Sequence, residues 1–124
     1  MGTTCRIAKQ LRNGNCLSIS VNNDGYPEGV GECLQQYYNN EKVIDELLEL
    51  GNLSYIGEQV NPDDDKPREY QDYVCCAYHR DRGEDYSHNQ PRETSVSEFL
   101  QHCRNYDYFY IFINGEWISG SILP

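Results

Sequence analysis

Tyr108-Phe109-Tyr110-Ile111-Phe112-Ile113-Asn114-Gly115-Glu116-Trp117-Ile118-Ser119 is two runs of β-forming residues joined by Asn-Gly. Asn-Gly suits the two positive φ angles of a type I′ turn, so the stretch reads as a closing hairpin. The two-residue loop sets Phe112 opposite Trp117 and Ile111 opposite Ile118. A second hairpin opens the chain. Leu17, Ile19 and Val21 alternate with Ser18 and Ser20, the pattern of a half-buried strand, and Asn13-Gly14 marks the turn. A three-residue loop, Asn13-Gly14-Asn15, pairs Leu11 with Leu17 and Ile7 with Val21. That register matches apolar faces, with Gly14 or Asn15 at positive φ. It leaves Cys5 and Cys16 unpaired with each other.

Between the hairpins lie helices. Val30, Cys33, Leu34, Tyr37 and Tyr38 fall on one helical face. Asn39-Asn40 breaks that helix. A second runs from about Glu41 with Val43, Ile44, Leu47 and Leu48 as its stripe, and Gly51 suits the position just past its end. The pair forms an αα-hairpin on one face of the sheet. Tyr73 to Tyr78 has high β-propensity and reads as a central strand. Residues around 60–70 are polar and proline-rich and form an exposed, mobile loop. His79 to Gln90 is a polar excursion. Ser95-x-x-Glu98 is a capping box that opens a short third helix with Val96, Phe99, Leu100 and Cys103. The expected fold is a single α+β domain over 1–124, an antiparallel sheet packed by about three helices in the order ββαα-β-αββ.

Composition bounds the partners. The 124 residues carry 20 acidic and 10 basic side chains, a net charge of −10. Free nucleic acid and anionic membranes require a basic face, so neither is a partner. Met1–Gln10 contains no apolar secretion signal, and no apolar run approaches a membrane span. The six cysteines alternate with apolar residues and read as free thiols in a reducing compartment.

Two stretches carry chemistry. Tyr78-His79-Arg80-Asp81-Arg82-Gly83-Glu84 puts two arginines and a histidine at a strand end, and the guanidinium fork suits phosphate or carboxylate. Its plain alternative is a solvated loop in which Asp81, Glu84 and Asp85 neutralise the arginines. Asp24-Gly25-Tyr26-Pro27-Glu28-Gly29-Val30-Gly31 leads three glycines into a helix start, where N–H groups favour an anion. It lacks the Gly-Lys-Ser/Thr of a P-loop, and no parallel βαβ unit is expected around it. Its alternative is an ordinary strand-to-helix turn. Glu41, Asp45, Glu46 and Glu49 on the second helix, with Asp63, Asp64 and Asp65, form an acidic surface that would imitate the phosphates of a duplex.

Catalytic arrangements are sparse. His79, His88 and His102 lack metal-ligand spacing, there is no Cys-x-x-Cys, and no metal or other cofactor is expected. Cys75 and Cys76 sit in an apolar run, where burial makes thiols inert. His79, Asp81 and Glu84 would supply a small metal-dependent hydrolase as the minor alternative to a non-enzymatic protein.

These stretches also carry a resemblance. Asp24 to Gly31, Val43 to Gly51, Asn52-Leu53-Ser54, Ala77 to Glu84, and Phe112 to Trp117 resemble a family of small proteins from phages and mobile elements of gut bacteria. The similarity covers most of the chain. Asn22-Asn23 stand where that family often has His-Trp. The resemblance implies a phage accessory protein acting against host defence in the bacterial cytoplasm. With the charge placement, it leads to a protein that sequesters a small anionic, nucleotide-type immune signal. Arg80 and Arg82 would hold phosphates, Gly25 to Gly31 with Gly29 would offer N–H donors, Tyr26 and Tyr78 would stack on a base, and His79 or Asp24 would read its edges. The alternative is an acidic inhibitor of a host defence effector such as a CRISPR nuclease. A homo-oligomer is compatible with either reading.

Overall fold

The computed structural model describes residues 2–121, and both hairpins are present in it. Strand β1 (Cys5–Gln10) pairs antiparallel with β2 (Cys16–Val21). The loop is three residues long, but it is Arg12-Asn13-Gly14. The Gly14 N–H donates to Leu11 O at 3.0 Å, and the Leu11 N–H donates to Asn15 O at 2.7 Å. Gly14 takes φ 88°, so a tight turn is followed by one left-handed residue. The register consequently differs from expectation: Ile7 faces Ile19, and Cys5 faces Val21. Parity is preserved, so the same residues still point to the same face.

The closing hairpin matches its turn chemistry. β6 (Tyr108–Ile113) and β7 (Glu116–Gly120) set Phe112 opposite Trp117 and Ile111 opposite Ile118. Asn114 and Gly115 take φ 51° and 81°.

The protein is α+β, but its sheet is mixed rather than antiparallel. With β3 (Leu53–Tyr55), β4 (Cys76–Ala77) and β5 (Arg92–Thr94) the order is β4-β3-β2-β1-β6-β7, and β5 joins β2. β1 runs parallel to β6, and β2 runs parallel to β3. The second pairing has a local cause. α1 (Glu32–Tyr37), entered through a π-helical turn at Pro27–Gly31, and α2 (Glu41–Glu49) carry the chain back along β2, and such a crossover ends in a parallel strand. The glycine-rich turn therefore does lie within a parallel β-helix-β unit.

Two further expectations are corrected. Residues 73–78 give only a two-residue strand at the sheet edge. Val74 and Cys75 are buried, yet the Cys75 carbonyl accepts from Arg68 Nη2 at 3.1 Å and Arg80 Nη2 at 2.9 Å instead of from a neighbouring strand. Outside β4 the segment pairs, among the described residues, only through one parallel bridge, Val74 with Gln59, so high β-propensity here reported burial more than laddering. The polar excursion also begins with a helix, α3 (Tyr78–Arg82), so the capped α4 (Val96–His102) is the fourth helix. The Ser95 Oγ accepts the Glu98 N–H at 3.1 Å, as a capping box requires.

Two layers flank the sheet. On one face Val30, Leu34, Tyr38, Ile44, Leu47 and Leu48 pack on Ile7, Ile19, Val21, Leu53 and Tyr110. On the other, Phe99 and Cys103 form a smaller cluster with Ala8, Cys16 and Ile111, edged by Val96, Phe109 and Ile113. Beside that smaller core the same face is polar, with Arg6, Ser18 and Ser20 all buried. All six cysteines are free thiols. Among the described residues, no helix is long and apolar enough to cross a membrane.

Candidate functional site

The two motifs become neighbours through asparagine. Asn22 Nδ2 donates to the Tyr78 hydroxyl at 2.6 Å, and Asn23 Nδ2 donates to Ser54 O at 2.7 Å. Asn22 and Asn23 thus fasten the end of β2 to β3 and α3.

Arg80 is consumed by the fold. Its Nη1 donates to Val60 O at 2.7 Å, its Nη2 to Cys75 O at 2.9 Å and its Nε to the Asp81 carboxylate at 3.1 Å. Asp81 also accepts the Ala77 N–H at 2.7 Å. Arg82 lies over the Tyr78 ring, 5.5 Å from its centroid. His79 Nδ1 is bonded to the Glu84 carbonyl at 2.7 Å, and its ring meets Tyr86 edge-on.

The glycine turn spends its donors internally. The Gly25 N–H goes to Thr3 O, the Gly29 N–H to Tyr26 O and the Val30 N–H to Asp24 O. Tyr110 donates its hydroxyl to Gly25 O at 2.8 Å. Asp24 holds φ 59° and its carboxylate accepts from the Tyr26 hydroxyl at 3.4 Å. Gly29 and Glu28 border a cleft shared with Glu32, Glu58 and Asp72, an acidic setting. Arg82 borders a different one, with Arg68, Asp72 and Asp81. The two clefts adjoin at Asp72, with the turn in one and Arg82 in the other.

The acidic surface is partly paired. Lys9 Nζ lies 2.8 Å from Asp45 and 3.4 Å from Glu41. Glu49, Asp64 and Asp65 are exposed, while Glu46 and Asp63 are half-buried. The loop at 61–67 is mostly exposed but anchored. Gln71, 0% exposed, accepts the Asp63 N–H and donates to Asp63 O and Lys66 O. Among the described residues, no group of three His, Cys, Asp or Glu is placed to hold a metal ion, His79, Asp81 and Glu84 included.

The strongest site lies elsewhere. Arg6 points from β1 to the polar part of the sheet and is 7% exposed. Of the five N–H donors of its guanidinium, one goes to Ser18 Oγ at 2.9 Å and one to the Tyr106 hydroxyl at 3.3 Å. Its Nε is buried without a hydrogen-bond partner among the described residues. Among the described residues no carboxylate lies within ion-pair reach of it. A buried cation with neutral partners alone costs several kcal/mol, about what an entering anion can recover.

Arg6 borders a cleft of about 340 Å³ together with Asn52, Ser87, His88, Gln90, Pro91, Arg92 and Glu93. Arg92 faces Ser18 across the β2–β5 pair, on the same side as Arg6. Glu93 alternates to the other side, and its Oε2 accepts from Asn13 at 3.3 Å and Asn15 at 3.1 Å. Asn52 Oδ1 accepts the Ser20 N–H at 3.0 Å, which fixes the amide and leaves Nδ2 as a donor.

None of these residues except Asn52, noted only as part of the resemblance, figured as a site from sequence. The local sequence carried no signal for it: Arg6 alternates with Cys5 and Ile7, as a solvent-facing strand residue also would. No family model, curated protein or solved structure matches this chain.

Proposed function

We propose that this protein binds a small anionic ligand and holds it without transforming it, in the cleft over Arg6. The observation that carries the reading is a 7%-exposed arginine with no carboxylate partner among the described residues, bordering a polar cleft. Arg92 adds a second positive charge on the same side, and Asn52 adds an amide donor. The surrounding charge of −10 favours a ligand small enough to enter, because a long polyanion meets the acidic exterior. The resemblance to phage and mobile-element proteins supports a biological role for such binding, the sequestration of a nucleotide-type immune signal. In this reading the binding residues are Arg6, Asn52 and Arg92. Arg80 serves the fold.

A thermal-shift and calorimetric panel tests it, running from inorganic phosphate through nucleotides and ADP-ribose to cyclic dinucleotides. At least one anion is expected to raise Tm, as any ligand specific to the folded state does. Binding is lost in Arg6→Met and kept in Arg82→Ala. A panel without a shift overturns the proposal, and so does undiminished binding in folded Arg6→Met.

A further inference from the structure

We infer that the cleft over Arg6 takes the terminal phosphomonoester of a small sugar or nucleoside, not the internal diester of a cyclic nucleotide. The inference rests on the proposed reading of that cleft as an anion site.

Size is the first ground. About 340 Å³ lies at the lower end of ligand clefts, enough for a phosphate and the sugar that carries it. Lining is the second. Nucleobases are held by stacking on aromatic faces; no Phe, Tyr or Trp borders this cleft, and its one aromatic ring is the small imidazole of His88. Tyr26 and Tyr78 are committed elsewhere, to Asp24 and to Asn22 and Arg82. With that single small ring, the cleft grips a head group and gains little from a base.

Charge is the third. A phosphomonoester near pH 7 carries close to two negative charges and three terminal oxygens. A diester carries one charge and two such oxygens. Arg6 and Arg92 supply two cations on one side of the sheet, and Asn52 Nδ2 supplies a neutral donor. Glu93 also borders the cleft, but its carboxylate is held by Asn13 and Asn15 and makes no ion pair with Arg6 or Arg92 among the described residues. Binding a dianion gives the buried Arg6 charge the counter-ion it lacks inside the protein.

Calorimetric titration of the full chain with ribose 5-phosphate, AMP, inorganic phosphate, 3′,5′-cyclic AMP and a cyclic dinucleotide tests this. Ribose 5-phosphate and AMP are expected to bind within about threefold of each other, because the base adds little. The cyclic diesters bind at least tenfold more weakly. Arg6→Met and the exposed-site variant Arg92→Ala each lose at least tenfold for the monoesters. Diesters that bind as tightly as monoesters, with Arg6 dependence, overturn the monoester inference and leave the anion reading standing. Inorganic phosphate binding as tightly as ribose 5-phosphate makes the free ion the ligand and also overturns it. No binding by any of the five, or full binding in Arg92→Ala together with a folded Arg6→Met, removes both.

Discussion

Arg6 Nη2 donates to the Ser18 hydroxyl at 2.9 Å inside the sheet, so a buried cation is held by a neutral oxygen. The contrast with Arg80 is chemical. Arg80 meets the carboxylate of Asp81 and two main-chain carbonyls. One guanidinium completes the fold, and the other is left with charge to spare.

Arg6→Met is expected to keep or raise stability while abolishing anion binding. Removing an uncompensated buried charge and filling the space with an apolar chain is worth about 1 kcal/mol or more. Urea unfolding of the variant checks it, and a loss of several kcal/mol would assign Arg6 a purely structural role.

Asn52→Asp keeps the acceptor for the Ser20 N–H and replaces the free amide nitrogen with a carboxylate oxygen at the edge of the cleft. The new charge competes with any bound anion. Anion affinity should fall at least tenfold, with far-ultraviolet circular dichroism unchanged.

Arg80→Ala is expected to destabilise the protein by about 2–3 kcal/mol, because it strips a donor from the Val60 carbonyl and leaves Arg68 alone on the Cys75 carbonyl and as the remaining arginine at Asp81. Monoester affinity of the folded fraction should be unchanged. A selective loss of binding without loss of stability would return the site to the Arg80–Arg82 motif.

Gln71→Ala removes three hydrogen bonds to the backbone of Asp63 and Lys66 from a side chain that is 0% exposed. A loss of about 2–3 kcal/mol is expected. Limited proteolysis should cut within 61–67 faster in the variant than in the parent protein.

Alkaline pH should destabilise the fold. Burial pushes the Cys33 thiol up to about 12, with Cys75 and Glu58 adding to the shift. Burial likewise pushes Cys103 up to about 12, against the opposing charge of Arg6. Unfolded thiols lose their protons near pH 8.5 and folded ones retain them, so the unfolded state binds fewer protons above that pH and stability falls as pH rises. Urea midpoints from pH 7 to 10 measure this. Flat midpoints would show that the thiols are not protected, and fast alkylation of Cys33 at pH 8 would agree.

The legible parts of the fold share a property. Asn114-Gly115 sets its own φ angles, Ser95 caps its own helix, and the stripe Ile44, Leu47 and Leu48 follows from helical spacing. The first hairpin's partners differ by two residues because a tight turn at Arg12-Asn13 with Gly14 left-handed competes with the loop that best matched Leu11 to Leu17. The strand at 73–78 was overread because apolar content alone does not distinguish a laddered strand from a buried segment whose Cys75 carbonyl is taken by arginines.

By itself the sequence determined the α+β class, both hairpins, the helices α1, α2 and α4, and the acidic surplus, since each depends on neighbours a few residues apart or on simple counting. Tertiary structure alone decided the parallel pairing of β1 with β6, the capture of Arg80 by Val60 and Cys75, and the place of Arg6. Arg6 and its partner Tyr106 stand 100 positions apart along the chain. Whether a charge ends in water, against a carboxylate or over a cleft is settled by contacts across that distance, and no local pattern of residues encodes them.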